Sequence, residues 1–132
     1  MVEFCRFFPI FINLPARPLQ KQNFIKRMTK NIMTICLWYD DQAEQAANYY
    51  CSIFKDSSLG RISRYGKEGF EFHKKPVGTA MTVEFTLNGM NFQALNGGPQ
   101  FVFNEATSIV VYCDTQEESD FYWNELTKEG EE

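Results

Sequence analysis

The sequence predicts an α+β fold made of two related units, each of which begins with a strand followed by a helix. Three observations predict it. The stretch Ile35–Glu44 recurs as Ile109–Glu118, with an apolar run, an Asp and a helix-start signal in the same order. In each copy an aromatic pair follows, first Tyr49-Tyr50 and then Phe121-Tyr122. Between the copies, Asn88-Gly89 is flanked by alternating apolar and polar residues, which predicts a tight hairpin.

The first unit is predicted to have the element order β-α-β-β-β. Met33–Tyr39 is apolar and partly β-branched or aromatic, which is typical of a strand. Asp41 and Glu44 have the spacing of a capping box, in which each side chain bonds a free backbone N–H group of the other. A helix is therefore expected from about Gln42 to Phe54, where apolar residues recur at helical spacing. Leu59–Tyr65 is predicted as the second strand.

The rest of the first unit is predicted to be a loop and a hairpin. Gly66–Gly78 contains glycines, a proline and many charges, so we expect an irregular connection. Thr79–Leu87 and Met90–Leu95 then form the hairpin, because Asn-Gly suits the positive φ angles of a type I′ turn. Its two-residue loop places Glu84 opposite Gln93. The alternation predicts an apolar face and a polar face, the latter carrying Thr82, Glu84, Thr86, Asn91 and Gln93.

The second unit is predicted to begin like the first and then to stop. Ser108–Cys113 is the expected strand, and Thr115 and Glu118 repeat the capping-box spacing. A helix should follow to about Lys128, with its apolar side formed by Phe121, Tyr122 and Leu126. No strands follow in the sequence, so the second unit is expected to be truncated.

The first thirty residues differ in composition from the rest. They carry six Lys or Arg and only one acid, Glu3. One interpretation is a targeting segment, for example a mitochondrial one, although Thr29 is its only hydroxyl residue. The interpretation we favour places residues 1–30 outside the functional domain. The domain would then comprise residues 31–132, with a first unit over 31–103 and a partial second unit over 104–132.

Charge and composition exclude several classes of protein. The formal net charge is −4, and after residue 30 there are seven basic and sixteen acidic side chains. Such an acidic body argues against nucleic acid as a partner, because phosphate binding needs clustered Lys and Arg. No apolar run approaches the ~18 residues of a membrane span. The four cysteines are scattered, which favours small packed residues in a reducing, cytoplasmic setting.

Several stretches resemble the PhnB-like branch of the vicinal-oxygen-chelate (glyoxalase/bleomycin-resistance) superfamily, often labelled "3-demethylubiquinone-9 3-methyltransferase domain". The resemblance implies a glyoxalase-like fold of paired βαβββ units, in which curved four-stranded sheets form a cup. It also implies, for many members, a divalent metal held in the cup by His, Glu or Gln. The stretches that carry it are Cys36–Asp40, Gln42–Phe54, Thr82–Phe85, Leu95–Phe101 and Phe103–Ala106.

Glu84 is the first candidate for chemistry. Set against the superfamily pattern, it falls where glyoxalase-type members have a metal-binding Glu, and Gln93 opposite offers an amide oxygen. The alternative is an ordinary cross-strand pair on a solvated sheet face. The corresponding positions near Met33 and Thr107 offer no carboxylate or imidazole. A tightly bound divalent metal is therefore possible but disfavoured.

The other candidates are a histidine and several aromatic residues. His73 is the only histidine and titrates near neutrality when unperturbed, so it is a candidate acid or base; the alternative is a solvent-facing loop residue. Trp38 and Phe101 could line an apolar pocket, or could be core aromatics. We predict Glu84 and His73 as catalytic residues, and Trp38, Gln93 and Phe101 as ligand-binding residues.

Three functions agree with these features. The first is a small-molecule-binding, PhnB-like protein with weak metal-assisted chemistry at Glu84. The second is a non-catalytic ligand-binding protein of the resistance type. The third is the quinone-pathway methyltransferase that the family label names, although the sequence lacks the Gly-x-Gly-x-x-Gly loop of many nucleotide and methyl-donor sites. Unpaired sheet edges predict a homodimer in each case.

Overall fold

A computed structural model describes residues 33–104 and 106–128, together with the backbone of Ile10–Asn13. No helix among these residues is long and apolar enough to span a membrane. In chain order the elements are β1 (Ile10–Asn13), β2 (Ile35–Tyr39), α1 (Ala43–Ile53), β3 (Ser58–Arg64), α2 (Phe70–His73), β4 (Ala80–Leu87), β5 (Met90–Asn96), β6 (Ile109–Tyr112) and α3 (Gln116–Thr127).

The described chain divides into two compact units: the first comprises residues 33–102, and the second comprises Ile10–Asn13 together with the described residues after 102. The first unit contains a four-stranded sheet with the strand order β2-β5-β4-β3. β2 runs parallel to β5, and the other neighbours are antiparallel. The predicted α+β architecture and the β-α-β-β-β order of this unit are therefore confirmed, with the short helix α2 added inside the predicted loop.

One face of the sheet packs against α1 and forms the core. Strand alternation brings Val83 and Phe85 of β4 to this face beside Phe92 and Ala94 of β5, and all four are buried. The rings of Phe85 and Phe92 are stacked, with centroids 5.3 Å apart. Small residues on α1 let the helix approach the sheet closely, and the buried residues of its face are Ala43, Ala46, Ala47, Tyr50 and Ile53.

The hairpin between β4 and β5 has the predicted register. Asn88 and Gly89 have φ angles of 47° and 80°, as a type I′ turn requires. Leu87 pairs with Met90, and Glu84 consequently pairs with Gln93. A one-residue slip would have turned every apolar side chain away from α1, so the register also decides which residues lie on the polar face.

The start of α1 differs from its prediction. Neither Asp41 nor Gln42 gives a side-chain cap in the described structure, so the predicted capping box of Asp41 and Glu44 is wrong. The Oδ1 atom of Asn96, at the end of β5, accepts instead from the backbone N–H of Ala43 at 2.8 Å. The Asn96 amide nitrogen donates to the carbonyl oxygen of Ala80 at 2.9 Å. One buried side chain thus caps the helix and ties it to two strands.

Glu44, the second residue of the predicted capping box, forms an ion pair with β3 instead. Its carboxylate lies 3.4 Å from the guanidinium of Arg64 on β3. Arg64 also donates to the carbonyl oxygen of Gly78. Lys75 binds the backbone and the carboxylate of Asp40, with its Nζ atom 2.8 Å from the carbonyl oxygen. These contacts attach the predicted loop, which contains α2, to the rest of the first unit.

The second unit contains β6 and α3, with β1 parallel to β6. Here the predicted Thr115 cap is confirmed, because Thr115 Oγ1 accepts from the N–H of Glu118 at 3.2 Å. The Glu118 carboxylate accepts from the N–H of Asp114, one residue before the position that a capping box would use. Tyr122 is buried on α3 as expected, whereas Phe121 is 46% exposed, so its predicted place on the packed side is wrong. Apart from Ile10–Asn13, residues 1–30 lie outside the described residues, and their exclusion from the domain stays a prediction.

Candidate ligand-binding face

The sheet face turned away from α1 carries the candidate site. We call it the polar face and define it by Cys36 and Trp38 of β2, Thr82, Glu84 and Thr86 of β4, and Asn91, Gln93 and Leu95 of β5. The register aligns Cys36, Gln93 and Glu84 in one row across three strands. Trp38, Leu95 and Thr82 form the next row. The polar face therefore has a hydrogen-bonding row beside a more apolar one.

A β-bulge in β3 completes the hydrogen-bonding row. Leu59 pairs with Phe85 and Ile62 with Val83, so two residues, Gly60 and Arg61, stand opposite Glu84. A Cβ atom on Gly60 would lie 3.2 Å from both the Cβ atom and the carbonyl oxygen of Glu84. The glycine therefore lets β3 pack closely on Glu84. Bulges commonly redirect one side chain, and here the redirected side chain is Arg61.

Arg61 and Glu84 form an ion pair on the polar face. The Nη2 atom of Arg61 lies 3.0 Å from the Oε1 atom of Glu84. The two side chains are 76% and 46% exposed, so the pair contributes only about 0.2–1 kcal/mol to stability. The pair matters more for chemistry, because the carboxylate that the sequence suggested as a metal ligand faces the positive charge of an adjacent guanidinium. Arg61 was not predicted as a site residue, since regular alternation does not predict a bulge.

The residues around Glu84 do not fit a tightly held divalent cation. The described residues contain no group of three or more His, Cys, Asp or Glu side chains that could hold a metal ion. Glu84 supplies one carboxylate and Gln93 one amide oxygen, whereas hard cations prefer several oxygen ligands, anionic ones above all. Arg61 brings a positive charge to the same carboxylate.

Trp38 and Phe101, both predicted as ligand-binding residues, lie together. Their ring centroids are 4.9 Å apart in an edge-to-face arrangement. The indole Nε1–H of Trp38 donates to the carbonyl oxygen of Gly98 at 2.7 Å. A Cβ atom on Gly97 would lie within 2.1 Å of the indole ring, so the ring rests directly on the backbone there. The Asn-Gly-Gly-Pro stretch thus fixes the orientation of Trp38.

His73 has contacts of a different kind. Its Nδ1 atom lies 3.0 Å from the backbone nitrogen of Lys75, whose N–H group donates to it. Nε2 lies 3.4 Å from the carbonyl oxygen of Glu68. The ring also packs against Tyr65, with centroids 4.4 Å apart. In the described part of the chain His73 has no recorded contact with Glu84, so the structure does not unite the two predicted catalytic residues.

Cys36 lies on the polar face, where the sequence had predicted a small packed residue. It is exposed and forms no disulfide. Partial burial of the thiol raises its pKa above the ordinary value. The neutral thiol therefore predominates near pH 7 and is a poor nucleophile. Cys36 contributes a small, uncharged side chain next to Gln93.

Comparison with known proteins identifies the family. The sequence model of the 3-demethylubiquinone-9 3-methyltransferase family matches residues 31–132, and the chain belongs to this family. Among solved structures, it is similar to the PhnB protein of Bacillus cereus, provisionally described as a 3-demethylubiquinone-9 3-methyltransferase. The two are 34% identical over 74% of each chain, with a TM-score of 0.63. The PhnB-like resemblance and the glyoxalase-like α+β fold are therefore confirmed.

Two further comparisons add less. A Staphylococcus aureus protein of known structure is 28% identical over 69% of this chain and 62% of its own, with a TM-score of 0.39. No curated protein matches the chain.

Proposed function

We propose that this PhnB-like protein binds a small, partly apolar molecule on its polar face, without the help of a metal. The observation that carries the proposal is the arrangement of two unlike rows on one sheet face. Arg61, Glu84 and Gln93 offer donors and acceptors, and Trp38 and Leu95 offer apolar surface beside them. Ligand sites commonly combine apolar walls with a few placed polar groups.

Unused hydrogen-bonding capacity supports a ligand here. The side-chain amide of Gln93 has no hydrogen-bond partner among the described residues, although it lies in the middle of the sheet and is only partly exposed. An amide can donate two hydrogen bonds and accept two. Trp38, in contrast, is held in one orientation by Gly98 and Phe101. A preorganised ring beside free polar groups lowers the entropy cost of binding.

Binding can be tested by NMR because the chain has only two tryptophans, Trp38 and Trp123. Their indole N–H groups give two signals, which a Trp123→Phe variant assigns. We expect fragments from a library of small aromatic acids and their amides to shift the Trp38 signal and the Gln93 side-chain signals saturably. The Trp123 signal should stay in place. A library in which no fragment moves the polar-face signals would refute the proposal.

Metal-assisted chemistry at Glu84 is the first competing function, and Mn²⁺ tests it. Because the donor set is poor, we expect added Mn²⁺ to broaden no polar-face signal selectively at low stoichiometry. Broadening centred on Gln93 that disappears in a Glu84→Gln variant would instead support a metal enzyme. The substitution keeps the shape of the side chain and removes only the charge.

Methyl transfer is the second competing function, because the family and the Bacillus cereus relative carry that name. Titration with S-adenosylmethionine separates the two ideas: unchanged indole and amide signals are expected. A short-chain analogue of 3-demethylubiquinone that shifts Trp38 would name a ligand class without requiring methyl transfer.

Homodimerisation remains a prediction. In the described sheet, β2 and β3 are edge strands that each pair on one side only. Exposed edges favour pairing with a further strand unless they are covered. Light scattering on the purified full chain should give twice the 15.4 kDa mass of one chain. A monodisperse species of a single chain would contradict the prediction.

A further inference from the structure

We infer that Arg61 selects organic carboxylates as ligands of the polar face. This inference rests on the proposed function and adds the chemical class of its ligand. The bulge in β3 places Arg61 opposite Glu84, where a regular strand would have placed only one residue. Bulges that redirect a side chain are frequent next to functional sites. Among the described residues, Arg61 is the side chain that brings positive charge to this row.

The guanidinium of Arg61 has most of its donors free. An arginine side chain offers five N–H groups in a planar fork. One contact, from Nη2 to Glu84 at 3.0 Å, is the only one that the described structure gives to this side chain, which is 76% exposed. Glu84 therefore holds one nitrogen of the fork and leaves the others for a second planar anion. A carboxylate matches this geometry through paired charge-assisted hydrogen bonds.

The distances on the sheet also favour a bifunctional ligand. Neighbouring strands lie about 4.8 Å apart, so Leu95 on β5 is roughly 10 Å, and Trp38 on β2 roughly 14 Å, across the sheet from the backbone of β3. The long side chain of Arg61 spans part of this distance, so one small molecule can place a carboxylate at the guanidinium and a phenyl ring beside Leu95, on the side nearer to Trp38. Cys36 and Gly60, at the two ends of the hydrogen-bonding row, leave room beside Gln93 and Glu84 because both are small.

The expected preference for an anion is moderate, because Glu84 repels the same carboxylate that Arg61 attracts. Exposed ion pairs are weak because water screens both charges. The free N–H groups of Arg61 contact the ligand directly, whereas Glu84 acts only at a distance, so we expect the acid to bind about threefold more tightly than its amide. Removal of Arg61 leaves Glu84 alone, so the preference should reverse.

The test uses 4-phenylbutyrate and 4-phenylbutyramide, which differ only in the charged group. Both are titrated into the full-length chain, and the Trp38 indole signal gives each dissociation constant. The wild type should prefer the acid about threefold, and Arg61→Gln should prefer the amide. Arg64→Gln is the matched control, because Arg64 lies on the same strand but pairs with Glu44 near α1. It should keep the wild-type preference.

The outcomes separate the inference from the proposed function. Equal binding of acid and amide by the wild type would overturn the inference and leave the proposed function intact. An Arg61→Gln variant that binds both probes with the wild-type preference would do the same. If neither probe moves the Trp38 signal while other fragments do, the inference is overturned for this face. If no fragment moves it, the proposed function fails as well.

Discussion

The two faces of the four-stranded sheet are formed by the same strands but differ in burial and polarity. On the face toward α1, Val83, Phe85, Phe92 and Ala94 are buried and in contact. On the polar face, Glu84 and Gln93 occupy the alternate positions of the same two strands and remain partly exposed. One hairpin register therefore determines both the buried core of the unit and the residues of its candidate site.

Substitutions on the two faces of the sheet are expected to have different effects on stability and binding. Changes on the apolar face should lower stability strongly, because they leave cavities in a packed core. Changes on the polar face should leave stability nearly intact and alter binding. Equal losses of stability on the two faces would contradict this distinction.

The largest effect is expected from Phe85→Ala. The Phe85 ring is 2% exposed and stacks on Phe92, so truncation removes a large buried area and leaves a cavity. We expect the free energy of unfolding to fall by about 4 kcal/mol. Urea denaturation followed by circular dichroism measures it. A loss below about 1 kcal/mol would show that this face is not the core of the unit.

A smaller loss is expected from Asn96→Ala. The substitution removes the acceptor for the Ala43 N–H and the donor to the Ala80 carbonyl oxygen, both in buried surroundings. Unsatisfied buried groups cost about 1–3 kcal/mol each, and partial relaxation suggests a total of about 3 kcal/mol. Asp41→Ala is the control: it should change stability by less than about 0.5 kcal/mol. Equal losses of stability in the two variants would indicate that Asp41 also caps α1, as the sequence predicted.

Arg61→Gln and Glu84→Gln are expected to change stability least. Their ion pair is exposed, and such pairs contribute at most about 1 kcal/mol. Both variants should unfold within about 1 kcal/mol of the wild type in the same urea experiment. A loss of several kcal/mol in either variant would mean that the ion pair is structural, and the distinction between the two faces would fail.

The reactivity of the Cys36 thiol gives a pH-dependent test of the polar face that needs no substitution. Because burial raises its pKa, the thiolate is scarce at pH 7, and the alkylation rate should rise about tenfold for each pH unit until the pKa is reached. Mass spectrometry after timed exposure to iodoacetamide measures the rate at that residue. A bound fragment should slow it, whereas a rate independent of pH would contradict the raised pKa.

The hairpin and the fold class could be predicted from the sequence because their causes are local. The Asn-Gly turn sets the register, and alternation then assigns Glu84 and Gln93 to the polar face. The ion pair could not be predicted in this way. Arg61 reaches Glu84 only through a bulge, and a bulge shifts the alternation on which the sequence prediction depends.

The two helix starts show the same limit. Thr115 and Glu118 form the predicted cap on α3, since the residues that satisfy the free N–H groups are neighbours in sequence. At α1 the same spacing fails, because Asn96, 53 positions away from Ala43, occupies that role. A local motif predicts a helix cap only where no residue distant in sequence binds the free N–H groups of the first turn instead. Nothing in the Asn-Gly-Gly-Pro stretch distinguishes such a partner from an ordinary turn residue.

Binding of small molecules to the polar face can be measured through the indole N–H signal of Trp38. During titration of the full chain with 4-phenylbutyrate, we expect a saturable shift of this signal. A Trp38 signal that stays fixed while fragments of every charge are added to millimolar concentration would show that the polar face binds no such ligand.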